Sequence, residues 1–352
     1  MDTALAAPCP LRQRALAGGM GCEPSSDNHM VDRFGRAISY VRLSLTDRCD
    51  MRCRYCMAEE MVFLPRSEVL SLEEISALAG HFVARGVTRI RLTGGEPLAR
   101  RGAVNVAQAI GCHLGNGLEE LTITTNASRL AEHATGLWDA GIRRINVSLD
   151  TRKAEQFRYI TRKGDLNVVL NGIEAARKAG FAIKINMVAL KGINDDEIVP
   201  MLRWCGEHGF DLSLIETMPL GQIDDDREDR FFPLTTARAL LEEHFTLLPS
   251  THKTGGPARY WKVADTRTRI GFISPLTQNF CASCNRVRVS ASGKLYMCLG
   301  YDDHVDLRSA LRGDDPAALD RLLDQALGTK PERHDFDLAT TATTRHMNVT
   351  GG

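Results

Sequence analysis

Six of the ten cysteines in this chain fall in two tight groups. Cys49, Cys53 and Cys56 are spaced C-x3-C-x2-C, and Cys281, Cys284 and Cys298 are spaced C-x2-C-x13-C. No basic, then apolar, leader opens the sequence, so such close spacing points to metal or redox chemistry rather than to disulfides. Three thiolates on one short loop suit a compact soft-metal centre. A [4Fe–4S] cluster as a rule takes four Cys, so a three-Cys site leaves one iron open to a non-protein ligand. The competing reading is zinc, which in structural sites wants four protein ligands. The first group lacks a fourth, with no His between Thr46 and Phe63. In the second group His304 could complete a Cys3His site, so zinc has a stronger claim there.

The segment between Cys284 and Cys298 reads as a hairpin turning at Ser292-Gly293. If residue 290 faces 294, Arg286 faces Cys298, and strand alternation puts Cys284, Arg286, Arg288 and Cys298 on one face. Asn285 and Val287 then point the other way. Two arginines beside an open iron suit a polyphosphate or a planar base. A third motif, Thr93-Gly94-Gly95-Glu96-Pro97, has two glycines that let backbone approach a ligand and leave N–H groups free. Glu96, while ionised, can only accept hydrogen bonds.

The elements that position these residues follow a strand–helix rhythm. Strands are predicted at 40–45, 89–93, 121–125, 144–149, 182–190 and 210–216. Helices between them are predicted from Ser71, which opens a capping box with Glu74, and at 101–115, 129–140, 167–179 and 195–208. Such alternation gives a parallel sheet covered by helices, with its working end at the C-terminal edge of the strands. Periodicity alone leaves an incomplete barrel and an open sheet both possible. Beyond Met218 the rhythm breaks into a charged loop at 221–230, a helix near 235–244, and strands at 259–263, 269–273, 285–290 and 294–298. Two helical segments near 306–328 follow. Residues 1–30 read as a disordered extension, 31–220 as the repeating unit and 221–352 as a C-terminal region. Cys112 and Cys205 fall in helical segments and are expected to be buried; Cys9 and Cys22 lie in the extension.

With 43% apolar and 25% charged residues the chain is globular rather than disordered. Lys plus Arg and Asp plus Glu are both 44, and this zero net charge argues against nucleic acid as a partner. No stretch approaches the ~20 apolar residues of a membrane span.

On its cysteine loop and GGEP segment the chain resembles the radical S-adenosylmethionine (SAM) enzymes. With the second cysteine group and the terminal Gly-Gly it resembles the GTP 3′,8-cyclase family more narrowly. The matching stretches are residues 32–57, 90–98, 124–126, 145–150, 184–186, 215–221, 280–300 and 306–308 with Gly351-Gly352. The resemblance implies an α/β fold, an incomplete (β/α)6 TIM-like barrel with a C-terminal cluster-binding extension. It implies two [4Fe–4S] clusters held by Cys49, Cys53 and Cys56 and by Cys281, Cys284 and Cys298. SAM would be contacted by Tyr55, Gly95, Ser148 and Met218. GTP would be contacted by Arg42, Arg91, Thr124, Lys184, Arg286, Val287 and Arg288, with Gly351 and Gly352 reaching the site.

The implied reaction is reductive cleavage of SAM, removal of hydrogen from C3′ of GTP, and closure of a C3′–C8 bond. Arg286 and Arg288 are the catalytic residues expected, acting as electrostatic holds rather than proton carriers, since Arg does not deprotonate. The implied partners are GTP, an electron donor and a downstream cyclic pyranopterin monophosphate synthase. A cytoplasmic monomer or homodimer is expected. Ala58 and Ala127 stand where the family has Pro and Gly. The alternatives are another radical SAM enzyme with an auxiliary cluster, of the peptide-maturase type, and a zinc-stabilised binding protein without redox chemistry.

Overall fold

A computed structural model describes residues 29–223 and 227–351. The expected N-terminal extension lies almost wholly outside the described residues, as do Cys9, Cys22 and Gly352. Six strands fall within two residues of expectation at each end: β1 Tyr40–Ser44, β2 Arg89–Thr93, β3 Glu120–Thr125, β4 Arg144–Ser148, β5 Ala182–Val188 and β6 Asp211–Ile215. The C-terminal region adds β7 Leu247–Pro249, β8 Arg259–Val263, β9 Arg269–Ile273, β10 Arg286–Val289, β11 Lys294–Tyr296 and β12 His304–Asp306.

All twelve strands form one sheet, in the order β12-β11-β10-β1-β2-β3-β4-β5-β6-β9-β8-β7. From β10 to β9 every neighbouring pair is parallel. The sheet does not close, because its edge strands β12 and β7 pair on one side only. The C-terminal region thus extends the six-strand sheet at both edges, with β10 beside β1 and β9 beside β6. The central strands alternate, one face apolar and packed in the core, the other carrying polar residues such as Arg42, Arg91 and Lys184. Val41, Leu43, Leu92, Ile123, Val147, Ile185 and Leu214 are all fully buried.

The helix Leu72–Ala84 starts at the expected capping box. Glu74 N–H donates to Ser71 Oγ at 3.1 Å, and Ser71 N–H donates to Glu74 Oε2 at 2.6 Å. Its buried residues, Ile75, Leu78, Ala79 and Phe82, recur at three- and four-residue intervals. Cys205 is buried as expected, but Cys112 sits half-buried just past the helix Ala103–Gly111.

The helix Ala154–Thr161 escaped the sequence reading because it is short and its face holds only Phe157, Ile160 and Thr161. It bears on the site all the same. Its last carbonyls receive the cysteine loop, Arg52 N–H donating to Thr161 O at 2.9 Å and Arg54 N–H to Ile160 O at 3.0 Å.

Candidate active site

The first cysteine loop leaves the C-terminal end of β1. Its three cysteines are free and line a cavity with Tyr55, Thr93, Gly94, Gly95, Ser148 and Met218. The Gly-Gly turn after β2 packs directly on this loop. A Cβ on Gly94 would stand 2.5 Å from Thr46 O, and one on Gly95 would stand 2.4 Å from Arg48 O. One expectation is corrected here. The Gly95 and Glu96 N–H groups are not free, since Gly95 N–H donates to Thr46 O and Glu96 N–H to Arg48 O, each at 2.8 Å. The glycines are needed for loop-on-loop contact as well as for any ligand.

Glu96 is fully buried and is an acceptor, as its chemistry requires. It takes hydrogen bonds from Leu98 N–H at 3.0 Å, the Thr125 hydroxyl at 2.8 Å and Asn126 N–H at 2.7 Å. Its carboxylate therefore ties β2 to β3 rather than reaching into the cavity. Burial lifts its pKa to about 7.

Tyr55 lies against the same cavity and donates to Asp150 Oδ2 at 2.8 Å. Asp150 also accepts from Val188 N–H at 2.9 Å, and burial raises its pKa to about 6. Asp150 and Asn186 are cavity residues that the sequence reading missed. Both sit at strand ends, where an apolar pattern carries no signal for them.

Burial pushes all three thiols up, Cys56 to about 12, and the nearby carboxylates Glu96, Asp50 and Asp150 push the same way. Three thiolates here demand a cationic centre to hold them. Orphaned buried polar atoms sit around them: Thr93 Oγ1, Thr124 Oγ1, Asn186 Oδ1 and Thr217 Oγ1. A thiolate-ligated cluster with a polar organic ligand fits this donor set.

The second cysteine group lies across the sheet at β10. The hairpin has the expected register, with Arg288 opposite Tyr296 and Ser290 N–H donating to Lys294 O at 2.9 Å. Cys284, Arg286, Arg288 and Cys298 accordingly line one cavity, together with Cys281. Val287 has its side chain on the opposite face, as strand alternation predicts. Its side chain is buried in the apolar core, paired with Val41, and does not line the cavity. His304 does not take the place that the competing zinc reading would give it. It is exposed on β12 against the Tyr296 ring and lies outside the cavity, which removes the fourth ligand of the zinc reading.

The pairing of β1 with β10 on one side and β2 on the other sets Arg288 beside Arg42 and Arg42 beside Arg91 in register. With Lys184 on β5 these side chains line the second cavity. Arg42, Arg91 and Lys184 are each less than a tenth exposed. Burial, and then mutual repulsion, pulls their pKa values down, well below the ordinary range for Arg42 and Lys184, and Arg288 to about 9. Arg42 Nε has no partner. So many buried cations in one cavity call for a multiply charged anion. Lys184 also lines a polar cavity at the opposite, N-terminal ends of the strands, where Arg89, Arg144 and Arg269 are paired with Glu119, Glu120 and Asp211.

Asn186, Ile215 and Met218 line both cavities, so the two share a wall. Thr124, expected against the substrate, lines the first cavity. The C-terminal segment enters the same region. Arg288 Nη1 donates to Gly351 O at 2.6 Å, and Asn348 Nδ2 donates to Asp47 O at 2.8 Å. Gly351 lies at φ +69°, and a Cβ there would come within 2.4 Å of Thr93. His334 and Phe336, stacked at 4.0 Å, complete the second cavity, and their sequence shows no pattern that would have marked them.

Residues 43–205 match the model of the radical SAM superfamily, and residues 210–336 match that of Molybdenum Cofactor Synthesis C. A GTP 3′,8-cyclase of Erythrobacter litoralis is 56% identical over 329 residues, covering 92% of this chain and 99% of that protein. One from Rhizobium etli is 55% identical over 328 residues, covering 92% and 94%. The chain belongs to the GTP 3′,8-cyclase family. As a radical SAM enzyme of this family it uses SAM and [4Fe–4S] clusters. Among solved structures, Streptococcus suis SuiB aligns with a TM-score of 0.58 at 14% identity, over 84% of this chain and 68% of that one. Its SAM-bound form aligns at 0.55. At that identity the likeness is one of fold, and it bears out the open α/β sheet of the radical SAM type.

Proposed function

We infer that the chain converts GTP to 3′,8-cyclo-7,8-dihydro-GTP, the first step of molybdenum cofactor biosynthesis, with SAM in the first cavity and GTP in the second. The observation that carries this reading is the shared wall. Two three-cysteine cavities meet at Asn186, Ile215 and Met218, and one of them holds Arg42, Arg91, Lys184, Arg286 and Arg288. The bound clusters and SAM supply the one-electron chemistry; the chain supplies placement, charge and exclusion of water.

Cys49, Cys53 and Cys56 hold the first cluster, and Cys281, Cys284 and Cys298 the second. Tyr55, Gly95, Ser148 and Met218 form the SAM surface, and Thr124 and Gly351 face the same space. The arginines and Lys184 of the second cavity neutralise the triphosphate. Arg286 and Arg288 act by position and charge. Gly352, outside the described residues, is assigned to the GTP set on the family resemblance alone. Residues 31–220 carry the SAM half and residues 221–352 the second cluster, although the two parts share one sheet. An electron donor, a downstream cyclic pyranopterin monophosphate synthase, a monomeric or homodimeric state and a cytoplasmic location complete the reading. No helix among the described residues is long and apolar enough to cross a membrane.

The test is anaerobic. Protein loaded with two four-iron clusters binds about eight iron atoms and, with SAM, GTP and dithionite, forms 5′-deoxyadenosine only when GTP is present. SAM cleavage indifferent to GTP would point to a different radical SAM reaction. A colourless, zinc-containing protein would overturn both.

A further inference from the structure

The two cysteine triads differ in what meets their sulfurs. At the first, the side chain that donates to a sulfur is the neutral amide of Asn126, 3.8 Å from Cys49 Sγ, and the guanidinium of Arg52 donates to the Cys49 carbonyl instead. The second is met by Lys330, which belongs to none of the sequence motifs. Lys330 ends the helix Ala318–Thr329 and is only 2% exposed. Its Nζ lies 3.8 Å from Cys284 Sγ, 3.0 Å from Arg286 O and 2.5 Å from Met297 O. Three acceptors match the three N–H bonds of an ammonium, whereas a neutral amine would have only two. The two carbonyls lie on opposite limbs of the hairpin that carries Cys284 and Cys298, so the cation is clamped between them.

We propose that Lys330 is the tuning residue of the second cluster, a buried ammonium whose N–H···S bond to Cys284 raises that cluster's reduction potential above that of the first. The proposal rests on the reading that Cys281, Cys284 and Cys298 hold a cluster. Reduction adds one negative charge to the cluster. A fixed cation and a donor on a ligand sulfur stabilise the reduced state more than the oxidised one, and these are known determinants of cluster potential. Lys330 is thus a positioning and tuning group, distinct from the arginines that face the substrate.

The test uses the full chain carrying Cys49→Ala, Cys53→Ala and Cys56→Ala, which isolates the second cluster, titrated with dithionite and mediators and followed by electron paramagnetic resonance. Lys330→Gln keeps N–H donors but loses the charge, and Lys330→Arg keeps both. With Gln, the ratio of reduced to oxidised cluster at a fixed ambient potential should fall at least tenfold, which is about 59 mV for one electron. With Arg it should stay within about threefold, since the cation is retained. In the chain with all its cysteines, the first cluster should not move. A Gln variant that sheds the cluster while Arg keeps it supports the same role, because a cation is then what holds the thiolates. The proposal fails if Gln retains four irons and titrates with the parent, if both clusters shift together, or if Gln and Arg both shed the cluster, which would make Lys330 a hairpin anchor. Absence of any four-iron signal in the parent would instead overturn the cluster site itself.

Discussion

Lys184 shows how one residue can serve binding at the expense of the empty fold. It is 5% exposed, its Nζ donates to Tyr260 OH at 3.2 Å, and its neighbours are other cations. Burial first, and then Arg91 and Arg144, hold its pKa well below 10.5. The folded state therefore sheds this proton more readily than the unfolded one. Its effect on stability grows more favourable as pH rises from the depressed value toward 10.5. Lys184→Met should flatten that rise in the ligand-free protein and leave it at least as stable at neutral pH, as urea midpoints across pH would record. The same variant loses a charge-assisted contact worth about 1.5–3 kcal/mol, so the KM for GTP should rise roughly tenfold or more. A variant less stable at neutral pH and unchanged in KM would contradict both expectations.

At the scale of elements, the C-terminal segment and the capped helix separate function from stability. The helix Met347–Thr350 and Gly351 reach the loop after β2, where Arg288 holds the Gly351 carbonyl. A methyl on Gly351 collides with Thr93 and sits on a backbone at φ +69°. Gly351→Ala should unseat the segment and lower kcat/KM for GTP at least tenfold, about 1.4 kcal/mol, with iron content unchanged. Retained activity would show that the segment need not seat. Ser71→Ala is the complement. It removes one half of a capping box remote from both cavities and should cost about 1 kcal/mol in urea unfolding, with kcat and KM unaltered.

For the whole molecule, the zero net charge of the sequence conceals a segregated distribution. Arg42, Arg91, Lys184, Arg286 and Arg288 face one cavity with few carboxylates, while Asp50, Glu96 and Asp150 gather near the first triad. A ligand that neutralises the cationic cavity binds the folded state alone and stabilises it by mass action, by about 2.7 kcal/mol at one hundred times its Kd. GTP should therefore raise the melting temperature of the cluster-loaded protein by several degrees, and guanosine by much less. Calorimetry giving equal shifts for both would show that the cations do not meet the phosphates.

Much of this arrangement was legible in the sequence because it is local. The C-x3-C-x2-C loop, the six strands and the face shared by Cys284, Arg286, Arg288 and Cys298 follow from spacings within a few residues, where chain geometry allows few alternatives. The tertiary structure decided what joins distant segments. It set β10 parallel to β1, so that Arg288 stands beside Arg42, and it left His304 at the surface. It used the Gly95 N–H to tie two loops together, and it carried Lys330 from the end of a late helix to Cys284. Those contacts are made by strand pairing and burial between residues far apart in the chain, and no local period encodes them.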